Sequence, residues 1–365
     1  MKLLILFLFS FASIISFAQK ADIIIKNGKI MDGTGNSWYY ADIAVANGKI
    51  VAIGNLKNYT ANKIIDAKGL IVAPGFIDVH THLEGDEIKN PLATNFIYDG
   101  VTTCITGNCG SSHIDINKYF DFIDSLKVSI NIATLIGHND VRETIIGKAM
   151  REPTALELQQ MEAIVEQAMK DGALGFSTGL IYTPGTYSKT NEVVSLAKAA
   201  AKYNGIYATH MRDEGDSVTY AIDEALQIGR AANMPVEISH FKLSGQQNWG
   251  RSRETLPMVI KAREAGLDVT IDQYPYTASS TSISTLLPDW VLADGQDSIK
   301  ARLSNTRIRA KVKSYMYERL KKRKLKHWSY AVVANYSYDS TYNGKSIEQI
   351  NIMKGRKSTL ANEAE

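Results

Sequence analysis

One-signed charge is scarce in this chain: 41 Lys and Arg face 38 Asp and Glu, leaving a formal +3 on 365 residues. That balance gives no nucleic-acid signal. The densest basic run, Lys321-Lys322-Arg323-Lys324 with Lys326, has no aromatic interleaving for base stacking and reads as the solvated face of a helix expected over 309–326. Cysteine is equally scarce. Two residues, Cys104 and Cys109, cannot build a disulfide scaffold. Neither a short repeat nor a low-complexity tract occurs, and 45% hydrophobic with 22% charged residues excludes a disordered chain.

Long apolar runs are missing too, with one exception at the start. Lys2 precedes the apolar stretch Leu3 to Phe17, and Ser16-Phe17-Ala18 forms a small-x-small cleavage site before Gln19. At about 15 residues the stretch is shorter than the roughly 20 needed to span a bilayer. Residues 1–18 are therefore expected to be a secretory signal, cleaved to leave a periplasmic or secreted protein with no membrane segment. In an oxidising compartment Cys104 and Cys109 could pair. Five residues of near-extended chain, however, carry two Cα atoms beyond the roughly 7 Å a bridge tolerates, which favours a free Cys104 and a Cys109 available as a ligand.

What the chain does contain is a change of texture. Residues 19–70 read as a small β module, with "ADIIIKNGKI", "DIAVANGKIVAIG" and "KIIDAKGLIVAPG" punctuated by Asn-Gly and Gly-rich turns. From 71 to 365, apolar strands expected at 76–82, 101–107, 131–137, 173–180, 205–211, 235–241 and 268–274 alternate with amphipathic stretches at 154–172, 190–205 and 216–234. Such alternation predicts parallel pairing and an α/β fold: a (β/α)8 TIM-like barrel, or failing that a doubly wound open sheet.

Seven histidines are present, and two stand together in "PGFIDVHTH". Strand alternation would turn His80 and His82 to one face. Cys109 follows the second strand in "TGNCGSS", His210 closes "IYATH" and His240 closes "VEISH". Imidazole and thiolate donors at four strand ends on one barrel mouth are the inventory of one or two zinc sites. His138, in "LIGHND", is either an outer group of that site or a structural hydrogen-bonding residue; His113 and His327 carry no pattern.

With these residues assembled, the chain resembles the D-aminoacylase (N-acyl-D-amino-acid deacylase) family of the metal-dependent amidohydrolases. The resemblance is carried by "DGTG", "APGFIDVHTH", "GVTT", "GNCG", "GALGFSTGLIYTPG", "THMRDEG", "ISHFK" and "DQYPYTASS". It implies a Zn2+-dependent hydrolase of N-acyl-D-amino acids, small molecules. Cys109, His210 and His240 would be the tight zinc ligands, with His80 and His82 on a second, weaker metal. Cysteine would take the place of the carboxylated lysine of hydantoinase-like and dihydroorotase-like relatives. Tyr274 and Ser280 match substrate-contacting positions. An insertion is implied at about 286–345, and it contains the apolar "WSYAVVANY".

The family's catalytic base is an aspartate in a Ser-Asp-Gly at the eighth strand. No such tripeptide occurs: Asp86, Asp140, Asp171, Asp289 and Asp339 have other neighbours. The expected Asp would lie beyond Glu365, as would an arginine for the substrate carboxylate, so the expectation is an incomplete barrel with weak or no activity. Two rival readings are another amidohydrolase-superfamily hydrolase, hydantoinase-like or a deaminase, and a non-catalytic zinc-binding fragment.

Overall fold

The computed structural model describes residues 19–365, so the expected leader lies outside the described residues. The described residues form two compact units, divided between Phe76 and Ile77. The first is a five-stranded sheet of β1 (Gln19–Ile30), β2 (Tyr39–Ala46), β3 (Lys49–Gly54), β4 (Tyr59–Asp66) and β5 (Ile71–Val72). Its order is β3-β2-β1-β4, and β5 also pairs with β1, so the sheet runs on past residue 70. The β2–β3 hairpin turns on Asn47-Gly48, both at positive φ (51° and 72°), the backbone that an Asn-Gly turn is chosen for. Ala21, Ile24, Ala44 and Leu56 form its small core.

The second unit alternates strands and helices: β6 (Phe76–Asp78), α1 (Thr94–Tyr98), β7 (Val101–Thr106), α2 (Ile116–Leu126), β8 (Asn131–Thr134), β9 (Ile136–Gly137), α3 (His138–Ile146), α4 (Ala155–Lys170), β10 (Gly175–Gly179), α5 (Thr190–Ala201), β11 (Ile206–His210), α6 (Val218–Ala232), β12 (Val236–Ile238), α7 (Ser252–Glu264) and β13 (Val269–Ile271). One sheet runs β6-β7-β8 and another β9-β10-β11-β12-β13. β8 and β9 are one strand interrupted at Leu135. Thr106 O accepts from Leu135 N and Thr134 O from Leu174 N, which carries the ladder from one sheet to the other.

Neighbours therefore follow chain order, without the reversal that marks a doubly wound sheet. The fold is a TIM-like barrel in which seven strands are present among the described residues, and no eighth pairs there with β6 or β13. α4 opens on a capping box in which Thr154 and Glu157 satisfy each other's backbone N–H. Met161 and Val165 of α4, Leu196 of α5 and Ile222 and Leu226 of α6 pack on Phe176, Tyr207 and Val236 of the strands. Each such side chain contributes about 1.5–3 kcal/mol by leaving water.

Downstream, α8 (Asp289–Leu292), α9 (Gln296–Ser304) and α10 (Thr306–Lys322) gather Val291, Val312, Met316, Leu320 and Trp328 into a separate cluster. The helix expected at 309–326 thus starts and ends earlier, and Lys321, Lys322, Lys324 and Lys326 are exposed. "WSYAVVANY" is a short 3-10 turn (Trp328–Tyr330) followed by an isolated bridge, Val332 to Ser346.

His138 resolves to the structural alternative. Its Nε2 lies 2.9 Å from Glu192, which also accepts from fully buried Arg142 at 2.5 Å. Burial pushes the Glu192 carboxyl up, but His138 and Arg142 bring it below its ordinary range. Its contribution is thus present above the usual carboxylate pKa and fades as pH falls below that. Arg142→Ala strands a buried carboxylate and is expected to cost about 3–5 kcal/mol, read as a lower urea midpoint with unchanged slope.

Candidate metal centre

The loop after β7 is held in an unusual backbone shape. Cys109 sits at φ 53°, between Gly107 (φ 74°) and Gly110 (φ 80°). A Cβ on Gly107 would lie 2.2 Å from Leu135 O, and one on Gly179 would lie 2.0 Å from Cys109 O, so the loop lies flush against two strands that only glycine can match. Glu84 accepts from Gly107 N (2.8 Å) and Thr106 Oγ1 (2.6 Å), and Gly110 N donates to Ser177 Oγ (3.1 Å). His240, two residues past β12, is likewise left-handed at φ 38°. Non-glycine residues in this region hold strain that only a rigid surround maintains.

These backbones bring three histidine nitrogens to the Cys109 thiol. Cys109 Sγ lies 3.3 Å from His80 Nε2, 3.8 Å from His210 Nδ1 and 3.8 Å from His240 Nε2, and the last two nitrogens are 2.9 Å apart. Their far sides meet carboxylates. His80 Nδ1 is 2.8 Å from Asp272 Oδ2, His240 Nδ1 is 2.8 Å from Glu214 Oε1, and Lys242 Nζ donates to the same Glu214 oxygen at 2.6 Å. Asp272 also accepts from His240 N at 2.6 Å, tying the end of β13 to both histidine loops.

The electrostatics match a cation site. Burial pushes His210 down to about 3, so its ring stays neutral, the form that ligates. It also pushes the Cys109 thiol up to about 12, with Asp272 and Glu214 adding to the rise; a divalent ion is the partner able to draw off that proton. Burial raises Glu214 as well, yet His240 and the Lys242 ammonium beside it bring it to about 2. His210 Nε2 is buried with no hydrogen-bond partner, while its Nδ1 faces His240 Nε2 and its ring lies 4.8 Å from that of Tyr182. Imidazole and thiol donors gathered in a largely buried cluster and backed by carboxylates fit zinc.

His82 falls outside this cluster. β6 ends at Asp78, so strand alternation does not govern the pair, and the His80 and His82 rings stand 5.4 Å apart. His80 joins Cys109, whereas His82 lines the adjoining cavity of about 360 Å³ together with Ser111, Asp140 and Tyr182. Tyr274 stands at the rim, 6.4 Å from the His240 ring and 5.6 Å from Lys242 Nζ. Ser280 is exposed on the loop beyond; its neighbour Thr281, not Ser280, bonds the Tyr182 hydroxyl (3.0 Å). Both cysteines are free, with Cys104 buried inside β7. His113 stacks on Tyr119, and His327 pairs with Glu363 at 2.7 Å, far along the chain from the centre.

Glu214, Asp272, Lys242 and Glu84 hold the ligands, and none carried a role in the sequence. Glu214 and Lys242 have a local signal, since they follow His210 and His240 by four and two residues. Asp272 lies 192 positions from His80, and no spacing could link them. Gly179→Ala drives a methyl into the Cys109 carbonyl and is expected to weaken metal binding by about tenfold or more, measured by chelator competition, with the barrel's far-UV circular dichroism retained.

Comparison with known proteins bears on this geometry. Residues 63–299 match the model of the amidohydrolase family. A D-aminoacylase of Alcaligenes xylosoxydans xylosoxydans is 38% identical over 307 residues, covering 78% of this chain and 63% of that one. An N-acyl-D-glutamate deacylase of the same organism is 36% identical, with 77% and 61% covered. The chain thus spans about three fifths of the length of these curated relatives. Among solved structures, an N-acyl-D-glutamate deacylase from Bordetella bronchiseptica, complexed with zinc and a phosphonate inhibitor, superposes with TM-score 0.79 at 32% identity, covering 95% of this chain and 70% of that one. A D-aminoacylase crystal structure superposes with TM-score 0.75 at 30% identity. The chain belongs to the amidohydrolase family, in its D-aminoacylase and N-acyl-D-amino-acid deacylase branch.

Proposed function

We propose that this protein is a zinc-dependent hydrolase of the amide bond of N-acyl-D-amino acids. The observation that carries the reading is the approach of Cys109 Sγ, His210 Nδ1 and His240 Nε2 within 4 Å of one another, on a chain whose relatives are deacylases of this class. Cys109, His210 and His240 would hold the tight ion, with His80 on its open flank and His82 the further donor for a second, weaker one. Bound zinc supplies Lewis acidity to a carbonyl and to water. The Tyr274 hydroxyl, kept protonated chiefly by burial, is placed to donate to oxygen charge developing beside His240. The cavity of about 360 Å³ beside Cys109 offers room for a small N-acyl amino acid.

The test loads zinc and follows N-acetyl-D- and N-acetyl-L-amino acids by both acetate release and calorimetric binding. Tighter binding and faster acetate release with the D isomer, both abolished in Cys109→Ala, are expected. Equal handling of D and L overturns the deacylase reading; ammonia released without acetate favours a deaminase instead. Stoichiometric zinc with neither binding nor turnover favours a non-catalytic zinc protein. The leader reading supports export, so cell fractionation is expected to place the protein in the periplasm or medium.

A further inference from the structure

We propose that His327 is a proton-operated latch: its charged imidazole fastens two short helices, α11 (Ile347–Met353) and α12 (Leu360–Ala364), beside Trp328, and its neutral form loosens them. His327 follows α10 and stands between one carboxylate from each helix. Its Nδ1 lies 2.7 Å from Glu363 Oε1 and 3.5 Å from Glu348 Oε1. Ionised carboxylates only accept, so Nδ1 carries a proton and donates whether or not the ring is charged. The proton that comes and goes is the one on Nε2, and with it the charge.

The surroundings make that charge matter. The Glu363 side chain is 0% exposed, and its Oε2 accepts from Trp328 N at 3.0 Å. Ser358 Oγ lies 3.1 Å from Glu363 Oε1 and 2.8 Å from Glu348 Oε1, but it has one proton for the two carboxylates. Among the described residues neither glutamate has a cation other than His327 within 4 Å. Lys326 beside the ring opposes its charge, and Arg309 and Lys313 are engaged by Glu365. Trp328 is buried, and Ile347 of α11 and Ala364 of α12 pack on its cluster, so Glu363 reaches water only if α12 moves. The hydrogen bond to Glu363 holds the imidazole above its ordinary value, with the charges of Glu363 and Glu348 adding and Lys326 subtracting. A group raised in this way stabilises fully below its unfolded value and ceases to as pH rises through its folded one, so the latch loosens on the alkaline side. Burial pushes the Glu363 carboxyl up, but His327, Trp328 N and Ser358 bring it below its ordinary range, so its own contribution is lost only in acid.

The test follows amide hydrogen exchange, expressed as protection so that the intrinsic effect of pH is removed, and acrylamide quenching of Trp328, the other three tryptophans being exposed already. From about pH 5 to about pH 8, protection across 347–364 is expected to fall about two- to fivefold and quenching of Trp328 to rise, with α5 and α6 unchanged. His327→Lys keeps a cation throughout that range and is expected to hold the high protection at both ends. His327→Gln keeps a donor without the charge and is expected to show the low value at both ends, and Glu348→Gln should shrink the wild-type step. Should His327→Gln leave the two helices unfolded, His327→Lys and Glu348→Gln carry the test. No step in wild type, a step that survives in His327→Lys or His327→Gln, or an undiminished step in Glu348→Gln overturns the inference. None of these readouts depends on Cys109 or its histidines, so that failure leaves the zinc reading intact.

Discussion

The centre depends on parallel strands that all deliver their carboxyl ends to one rim. Because β6, β7, β11 and β12 follow one another around a barrel in chain order, the residues just past each strand are forced together whatever their separation in sequence. The rim position does not by itself select the donor atom. That work falls to the backbone just beyond each strand, where Cys109 and His240 are bent into left-handed conformations. Strain of this kind survives only because Gly107, Gly110 and Gly179 let the Cys109 loop lie flush against its neighbours and Glu84 pins it from the other side.

A cluster of metal donors facing each other in a largely buried pocket is not self-stabilising. The 2.9 Å approach of His210 Nδ1 to His240 Nε2 can be satisfied by one shared proton or by one cation, and a cation relieves the buried thiol as well. The surrounding carboxylates lean toward the cation. Asp272 and Glu214 leave net negative charge behind His80 and His240, and Lys242 offsets part of it. Stability and function pull apart here. A ring of buried donors without its ion costs the fold, whereas Glu192 between His138 and Arg142 shows a buried carboxylate paired with its neighbours and contributing to the fold.

Much of this was legible in the sequence, because it is local. Alternating apolar strands and amphipathic helices predicted the barrel, and the observed strands lie inside the expected ranges, trimmed at their ends. The metal candidates were legible for the same reason, since a His or Cys at the end of an apolar run is a strand-end residue. His80 and His82 show the limit of that logic. Period-two alternation applies only while the strand lasts, and β6 stops at Asp78, so alternation does not decide which way the two rings face. Cys104 shows the opposite case, because chain reach alone was enough to separate it from Cys109.

What stayed hidden is the layer behind the donors, and the reason is physical. A ligand must sit at a strand end, but the group that orients it needs only to reach its far nitrogen, and the chain can supply that from any neighbouring loop. Glu214 lies four residues beyond one histidine yet stands 2.8 Å from the far nitrogen of another, His240. Asp272 closes the gap between the first and seventh strand ends with a contact that no periodicity encodes. Sequence patterns report which face a residue occupies; only the packed barrel reports which nitrogen it leaves free, and in a metal centre that nitrogen decides whether chemistry follows.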